Sequence, residues 1–205
     1  MNHPAMPRRQ KFIALAVTTA ISALMLSGCS ASPEPVPPAA SSPTVDSNLL
    51  EAHELVGLDA PQIIERLDTM PVTERSTDLI ASVQSDALIL TDGEQHETRL
   101  LMPDDEAYIS IAPYREQTHD CHFHSLTTCL GELPNTEVQL TLTGEDGKVL
   151  LDETRQTYDN GFVGIWVPRG IEATLTIEHE GQSGTATVST TDEDDPSCIT
   201  TLQLT

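Results

Sequence analysis

The chain has 205 residues and carries 32 Asp and Glu against 10 Lys and Arg, a formal net charge of −22 at neutral pH. That excess repels nucleic acid and anionic headgroups, excludes a nucleic-acid partner, and concentrates cations near the surface without selecting among them. The runs Asp104 to Glu106 and Asp192 to Asp195 read as solvated loops, and neither has the spacing of a calcium-binding helix-loop-helix.

Arg8, Arg9 and Lys11 precede an apolar stretch from Phe12 to Leu26 that is too short and wrongly flanked for a membrane span. Residues 1–28 therefore read as a signal peptide. The stretch ends in Leu26, Ser27, Gly28 and Cys29, which resembles a bacterial lipobox, whose cysteine is diacylated and becomes the first mature residue. Cys29 is the expected lipidation site, and the anchor would hold the protein on the extracytoplasmic face of the cell membrane. The twin arginines leave the export route open, because the Phe of a twin-arginine signal comes one place late, at Phe12. From Ser30 to Ser47 five prolines alternate with Ser, Ala and Glu, a composition that cannot bury a core. Residues 29–47 thus form a lipidated cysteine and tether, able to hold a domain on the order of 50 Å from the membrane.

Asp59 is a good N-cap, Pro61 suits a first turn, and Ile63, Ile64 and Leu67 recur at helical spacing, which predicts a helix from about Ala60 to Asp68. Pro71 ends it. The pattern then changes to short runs of Val, Ile, Leu and Thr, predicting strands at Leu79 to Val83, Ala87 to Thr91, Glu97 to Leu101 and Tyr108 to Ala112. Together these make a small N-terminal α+β domain over residues 48–115. A second series follows at Val138 to Thr143, Lys148 to Glu153, Phe162 to Val167, Glu172 to His179, Thr185 to Ser189 and Ile199 to Leu204. Its connectors hold Gly144 with Gly147, Asn160 with Gly161, Arg169 with Gly170 and Gly181 with Gly184, suited to tight turns. The expected fold is mainly β, with the α+β unit followed by an antiparallel β-sandwich-like domain over residues 116–205.

The chemistry concentrates in CHFHSLTTC, Cys121 to Cys129, with two thiols and two imidazoles in nine residues. On one helix the thiols would stand roughly 12 Å apart along the axis, and on one strand roughly 26 Å, whereas a disulfide needs Cα atoms within about 7 Å. The segment must reverse direction for them to act together. Thiolate favours Cu(I), and imidazole suits Cu(II), Zn(II) or either copper state in a mixed site. A dithiol could also reduce two Cu(II) to Cu(I) and become a disulfide, with the histidines capturing the incoming ion. The plainer reading is a Cys121 to Cys129 staple of the kind common in exported proteins. Cys198 complicates it. With Cys29 lipidated, three cysteines remain, so pairing any two leaves one thiol free, which points to metal or redox use. Cys198 also shares strand parity with Leu202 and Leu204 and could be an apolar core residue. For Cys198 to reach the Cys121 segment, the fold needs a crossover or a long loop down the side of a sheet.

Other chemistry is thin. Gly181 to Gly184 lacks the last glycine of a nucleophile elbow, and there is no phosphate loop, HExxH pair or CxxC motif. No catalytic residue is assigned, and a binding protein rather than an enzyme is expected. His53, His96 and His179 read as surface residues and Trp166 as core, and Met70 with Met102 are too few for a methionine-rich copper site.

THDCHFHSLTTCLGE (Thr118 to Glu132), TYDNGFVGIWVP (Thr157 to Pro168) and CITTLQL (Cys198 to Leu204) together resemble the CueP family of periplasmic copper-resistance proteins, and SIAPYREQTH (Ser110 to His119) looks like the same family's lead-in. The resemblance runs from about Ser82 to the end of the chain. It implies copper, as Cu(I) and Cu(II), bound by Cys121, His122, His124, Cys129 and Cys198 in the cell envelope. It further implies Cu(II) reduction coupled to thiol oxidation, delivery to a periplasmic cuproprotein such as a superoxide dismutase, and a homodimer. The lipobox and tether depart from a freely diffusing family member. The expected function is an envelope copper-binding lipoprotein for copper resistance. The alternatives are a thiol-disulfide redox lipoprotein without a dedicated metal and a Zn(II)-binding protein.

Overall fold

The first helix lies where the tether was expected to end. In the computed structural model, which describes residues 46–205, Asp46 caps α1 (Ser47–Ala52) by accepting from the N–H groups of Asn48 and Leu49, and Leu49 and Leu50 are buried. The local signal was an Asp-Ser-Asn start before paired leucines. The leader, Cys29 and tether residues 29–45 lie outside the described residues. The second helix, α2 (Ala60–Asp68), has the expected limits. Asp59 and Gln62 make a reciprocal capping box, and Ile63, Ile64 and Leu67 turn inward. Asp68 lies on the same buried stripe. Among the described residues no helix is long and apolar enough to cross a membrane.

Eleven strands follow in the described residues: β1 (Leu79–Val83), β2 (Ala87–Asp92), β3 (Glu97–Leu101), β4 (Glu106–Ile111), β5 (His124–Ser125), β6 (Glu137–Gly144), β7 (Val149–Gln156), β8 (Val163–Pro168), β9 (Glu172–His179), β10 (Gln182–Ser189) and β11 (Cys198–Ile199). The fold is mainly β, as the alternation of apolar and polar residues predicts. The sheets have the orders β3-β2-β1-β5, β11-β4-β8 and β10-β9-β6-β7.

The three-stranded sheet is the middle layer. Ala107, Ile109 and Ile111 of β4, with Val163, Ile165 and Val167 of β8, meet Leu140, Leu142, Leu175 and Ile177 of β6 and β9 in an aliphatic core. Tyr108 and Trp166, of opposite parity on the same strands, pack with the two helices and with β1 and β2. One short sheet therefore serves two cores.

Two features depart from a simple series of antiparallel strands. β8 leaves the series and pairs antiparallel with β4, Tyr108 opposite Trp166 and Ser110 opposite Gly164. The last predicted strand, Ile199 to Leu204, is reduced to Cys198–Ile199, which pairs parallel with Ser110–Ile111 of β4. Beyond Ile199 the chain stays beside the extension of β4, with Gln203 in a parallel bridge to Tyr114, and its last residue, Thr205, exchanges bonds with Ser183 of β10 at 3.1 and 3.2 Å. Tyr114 N–H donates to the Leu202 carbonyl at 3.1 Å, and Leu204 N–H to Tyr114 at 2.8 Å. Burial explains the break: Leu202 and Leu204 belong to the aliphatic core, whereas Cys198 belongs to a small cluster on the opposite face with Ala112 and Phe162. The shared parity of Cys198, Leu202 and Leu204 thus does not survive in space. The parallel return of β11 beside β4 carries Cys198 to the Cys121 segment.

Candidate metal centre

The Cys/His loop is anchored by its middle and returns on itself. β5 extends the first sheet, with Ser125 opposite Ser82 and His124 opposite Val83. Leu126 is fully buried, and its N–H donates to the Ala81 carbonyl at 2.8 Å. His124 N–H donates to Ser197 Oγ at 3.0 Å, and Ser197 Oγ donates to the Val83 carbonyl at 2.5 Å, which ties the loop to the approach of β11. Cys129 N–H then donates to the Ser125 carbonyl at 3.2 Å and closes the reversal. The required turn is present, and Cys129 Sγ arrives 3.7 Å from Cys121 Sγ.

Cys121 and Cys198 form a disulfide, with Cα atoms 5.7 Å apart across a sequence separation of 77, and among the described residues Cys129 is the free thiol. The plain Cys121 to Cys129 staple is not the pairing found here. The ligand atoms of Cys121, His124, Cys129 and Cys198 all lie within 4.8 Å of one another. Three sulfurs and one imidazole suit a soft metal such as Cu(I). With the disulfide closed, His124 and Cys129 are the free donors of the group; reduction would release the other two.

A buried polar shell holds the imidazole. Asp68 is fully buried at the C-terminal end of α2, where the helix dipole opposes a carboxylate, so its charge depends on partners. Its Oδ1 accepts from His124 Nε2 at 3.1 Å and from Asn160 Nδ2 at 2.7 Å. Its Oδ2 accepts from Tyr108 Oη at 2.7 Å. Burial pushes the Asp68 carboxyl up, yet the hydrogen bond and charge of His124, with the Tyr108 and Asn160 bonds, hold it below the usual range. Burial likewise disfavours the His124 imidazolium, but Asp68 and Cys129 overcome that and raise it to about 9. At Cys129 burial again opposes charge, and His124 lowers the thiol below its ordinary value. The carboxylate engages Nε2 and leaves Nδ1 towards the sulfurs, 3.8 Å from Cys198 Sγ.

Neighbouring residues make this arrangement possible. Gly164 has no Cβ because the Tyr108 ring crosses that space on its way to Asp68. Gly161, at φ +80°, lies against the backbone of Gly131 and lets Gly131 N–H donate to the Asn160 carbonyl at 2.6 Å. Phe162 packs its ring against His124 in a tilted arrangement, with centroids 4.5 Å apart and 44° between the planes. Arg75 donates from Nη1 to the Cys129 carbonyl at 3.0 Å, while its Nη2 stands 4.0 Å from Asp68, a charge contact without a hydrogen bond.

Of the five predicted ligands, four converge and His122 does not. His122 is exposed, with Nε2 2.8 Å from the Asp194 carbonyl. In a regular strand His122 and His124 would share a face; the two-residue strand ends before that parity applies. His53, His96 and His179 stand elsewhere, His96 on Asp92 at 2.8 Å and His179 on the Glu137 carbonyl at 2.8 Å. Sequence reading missed Asp68, Arg75, Tyr108, Asn160 and Ser197. Asp68 had a signal: a carboxylate four residues after Ile64 on the apolar stripe of a helix has no solvent face. The quoted segment Thr157 to Pro168 contains Asn160, Phe162 and Gly164, but nothing local assigns them to this site.

Comparison with known proteins agrees with the quoted motifs. The family model described as periplasmic copper-binding protein CueP matches residues 62–203. The chain is also similar to the crystal structure of S. CueP at 35% identity and a TM-score of 0.73, over 80% of this chain and 100% of that one. No curated protein gives a significant match.

Proposed function

The chain belongs to the CueP family of periplasmic copper-binding proteins, and on that premise we propose that it binds copper through Cys121, His124, Cys129 and Cys198 and reduces Cu(II) to Cu(I) with its thiols. The observation that carries this reading is the convergence of three sulfurs and one imidazole within 4.8 Å. Each of the thiols of Cys121 and Cys198 gives up one electron and one proton. Two Cu(II) become two Cu(I), and the sulfurs join in the disulfide present here. Cys129 and His124 remain as soft and borderline donors for Cu(I), with Asp68 orienting the imidazole.

His122, at the exposed rim beside Asp194, serves in this reading as the first imidazole an incoming Cu(II) meets. The acidic surface raises the local cation concentration in a salt-dependent way. Lipidation at Cys29 and the tether hold the domain at the membrane, the working unit is a homodimer, and copper passes to a periplasmic cuproprotein.

The test is an anaerobic titration of the fully reduced protein with Cu(II), counting free thiols and trapping Cu(I) with a chromogenic chelator. The expected result is loss of two thiols and appearance of two Cu(I) per chain, abolished when Cys121 and Cys198 are both changed to Ser, which leaves Cys129 without a sulfur partner in the cluster. Unchanged thiols, or tight Zn(II) binding with weak Cu(I) binding, would sink the proposal in favour of a redox or zinc protein.

A further inference from the structure

Three sulfurs occupy one cluster, yet only two can be bonded at a time, and the third is in contact with the bond. Cys129 Sγ stands 3.7 Å from Cys121 Sγ, at van der Waals distance from a disulfide sulfur. Its backbone is pinned there from both sides, the N–H by the Ser125 carbonyl at 3.2 Å and the carbonyl by Arg75 Nη1 at 3.0 Å. Thiol-disulfide exchange requires a thiol held against the sulfur it attacks, and a leaving sulfur whose negative charge and proton can be handled.

We infer that the protein contains an intramolecular disulfide switch, in which Cys129 displaces Cys198 from Cys121. The bond from Cys129 Sγ to Cys121 Sγ forms as the bond from Cys121 to Cys198 breaks. The electron pair of the broken bond goes to Cys198 sulfur, and the proton lost by Cys129 ends on Cys198. The His124 imidazole faces both partners, its Nδ1 3.8 Å from Cys198 Sγ. No electrons are gained or lost overall, so the step needs no external oxidant or reductant.

The two forms differ in what they tie together. The Cys121–Cys198 bond links residues 77 apart and fastens β11 to the Cys/His loop, with one sulfur on a residue only 3% exposed. The Cys121–Cys129 bond would close a loop within a nine-residue segment, between two partly exposed residues, and release β11 from its covalent strap. Oxidation held in the interior thus moves to a pair that an external thiol can reach, and Cys198 returns to its thiol form beside His124.

The exchange involves no metal, so it is tested on chelator-treated full chain, where failure of copper binding would leave the result untouched. Oxidised protein is incubated at neutral pH, quenched in acid, unfolded, alkylated and mapped by mass spectrometry. The alkyl label is expected to divide between Cys129 and Cys198, with Cys198 carrying at least about a tenth of it. Label confined to Cys129 at every time, or found on Cys121, overturns the inference. Two variants sharpen it: Cys129→Ser should hold only the Cys121–Cys198 bond, and Cys198→Ser should form the Cys121–Cys129 bond on oxidation. A Cys198→Ser protein that stays folded and keeps both thiols free under the same oxidation would also overturn it.

Discussion

The two faces of β4 and β8 are built from alternate residues of the same strands and have opposite characters. Towards β6 and β9 they present Ala107, Ile109, Ile111, Val163, Ile165 and Val167, and the layer they fill is aliphatic. Towards α2 and the Cys/His loop they present Tyr108, Ser110, Gly164 and Trp166, and the layer there holds Asp68, His124, Asn160 and three cysteines. The first face gains stability from apolar burial, which is tolerant of detail and blind to charge. The second buries a carboxylate, an imidazole and a thiol that are acceptable only as partners of one another. A period of two lets one sheet serve both, so stability and chemistry can be altered separately.

The largest stability effect should come from the aliphatic face. Leu140→Ala, at a fully buried position, is expected to cost about 2–5 kcal/mol in denaturant unfolding. Cu(I) affinity of the folded fraction should stay unchanged in a competition titration; a fall would mean that the faces are coupled. Asp68→Asn acts on the other face and should reverse that pattern, with a smaller loss of about 2–3 kcal/mol near pH 6. It should also weaken copper binding by about 10–100-fold through the unoriented imidazole.

Its signature in pH is specific. The His124 pKa is raised to about 9 from an ordinary 6.5, so its pairing contributes fully below pH 6.5 and is lost as pH rises through about 9. Metal-free wild-type protein should lose stability over that interval, and Asp68→Asn should flatten the loss while moving the His124 pKa down by NMR. An unshifted His124 in the variant would contradict the assigned partnership. Tyr108→Phe is the mildest change. It removes one donor to the carboxylate, at a cost of about 1.5 kcal/mol by thermal or denaturant melts. Cu(I) affinity should change by less than about threefold, because Asn160 still engages Asp68.

Much of the secondary structure was legible because its signals are local. Asp59 with Pro61 and Ile63, Ile64 and Leu67 specified α2, and alternation with turn residues specified the strands from Leu79 to Leu101 and from Glu137 to Ser189. The end of the chain was not legible in the same way. Leu202 and Leu204 have strand parity with Cys198, but they are buried in the aliphatic core while Cys198 packs in the separate cluster with Ala112 and Phe162. At the site, residue type and the family resemblance together picked out Cys121, His122, His124, Cys129 and Cys198, and the length of the segment between Cys121 and Cys129 required it to turn back for its thiols to act together. His122 and His124 could not be separated, because which imidazole enters depends on where β5 stops.

The sequence by itself determined the Cys and His content of the cluster, most of the strand and helix segments and the need for a reversing loop, since each rests on residue type and spacing within a few residues. The tertiary structure decided that Cys198 bonds to Cys121, that Cys129 is left against that bond, and that Asp68 supports His124. These are contacts between residues 8 to 77 apart, with His124 and Asp68 separated by 56. The physical reason is that a buried carboxylate and a disulfide partner are chosen by packing. Asp68 is held by donors from β4, β5 and the loop before β8, and only the folding of all three around α2 shows that its charge has a place.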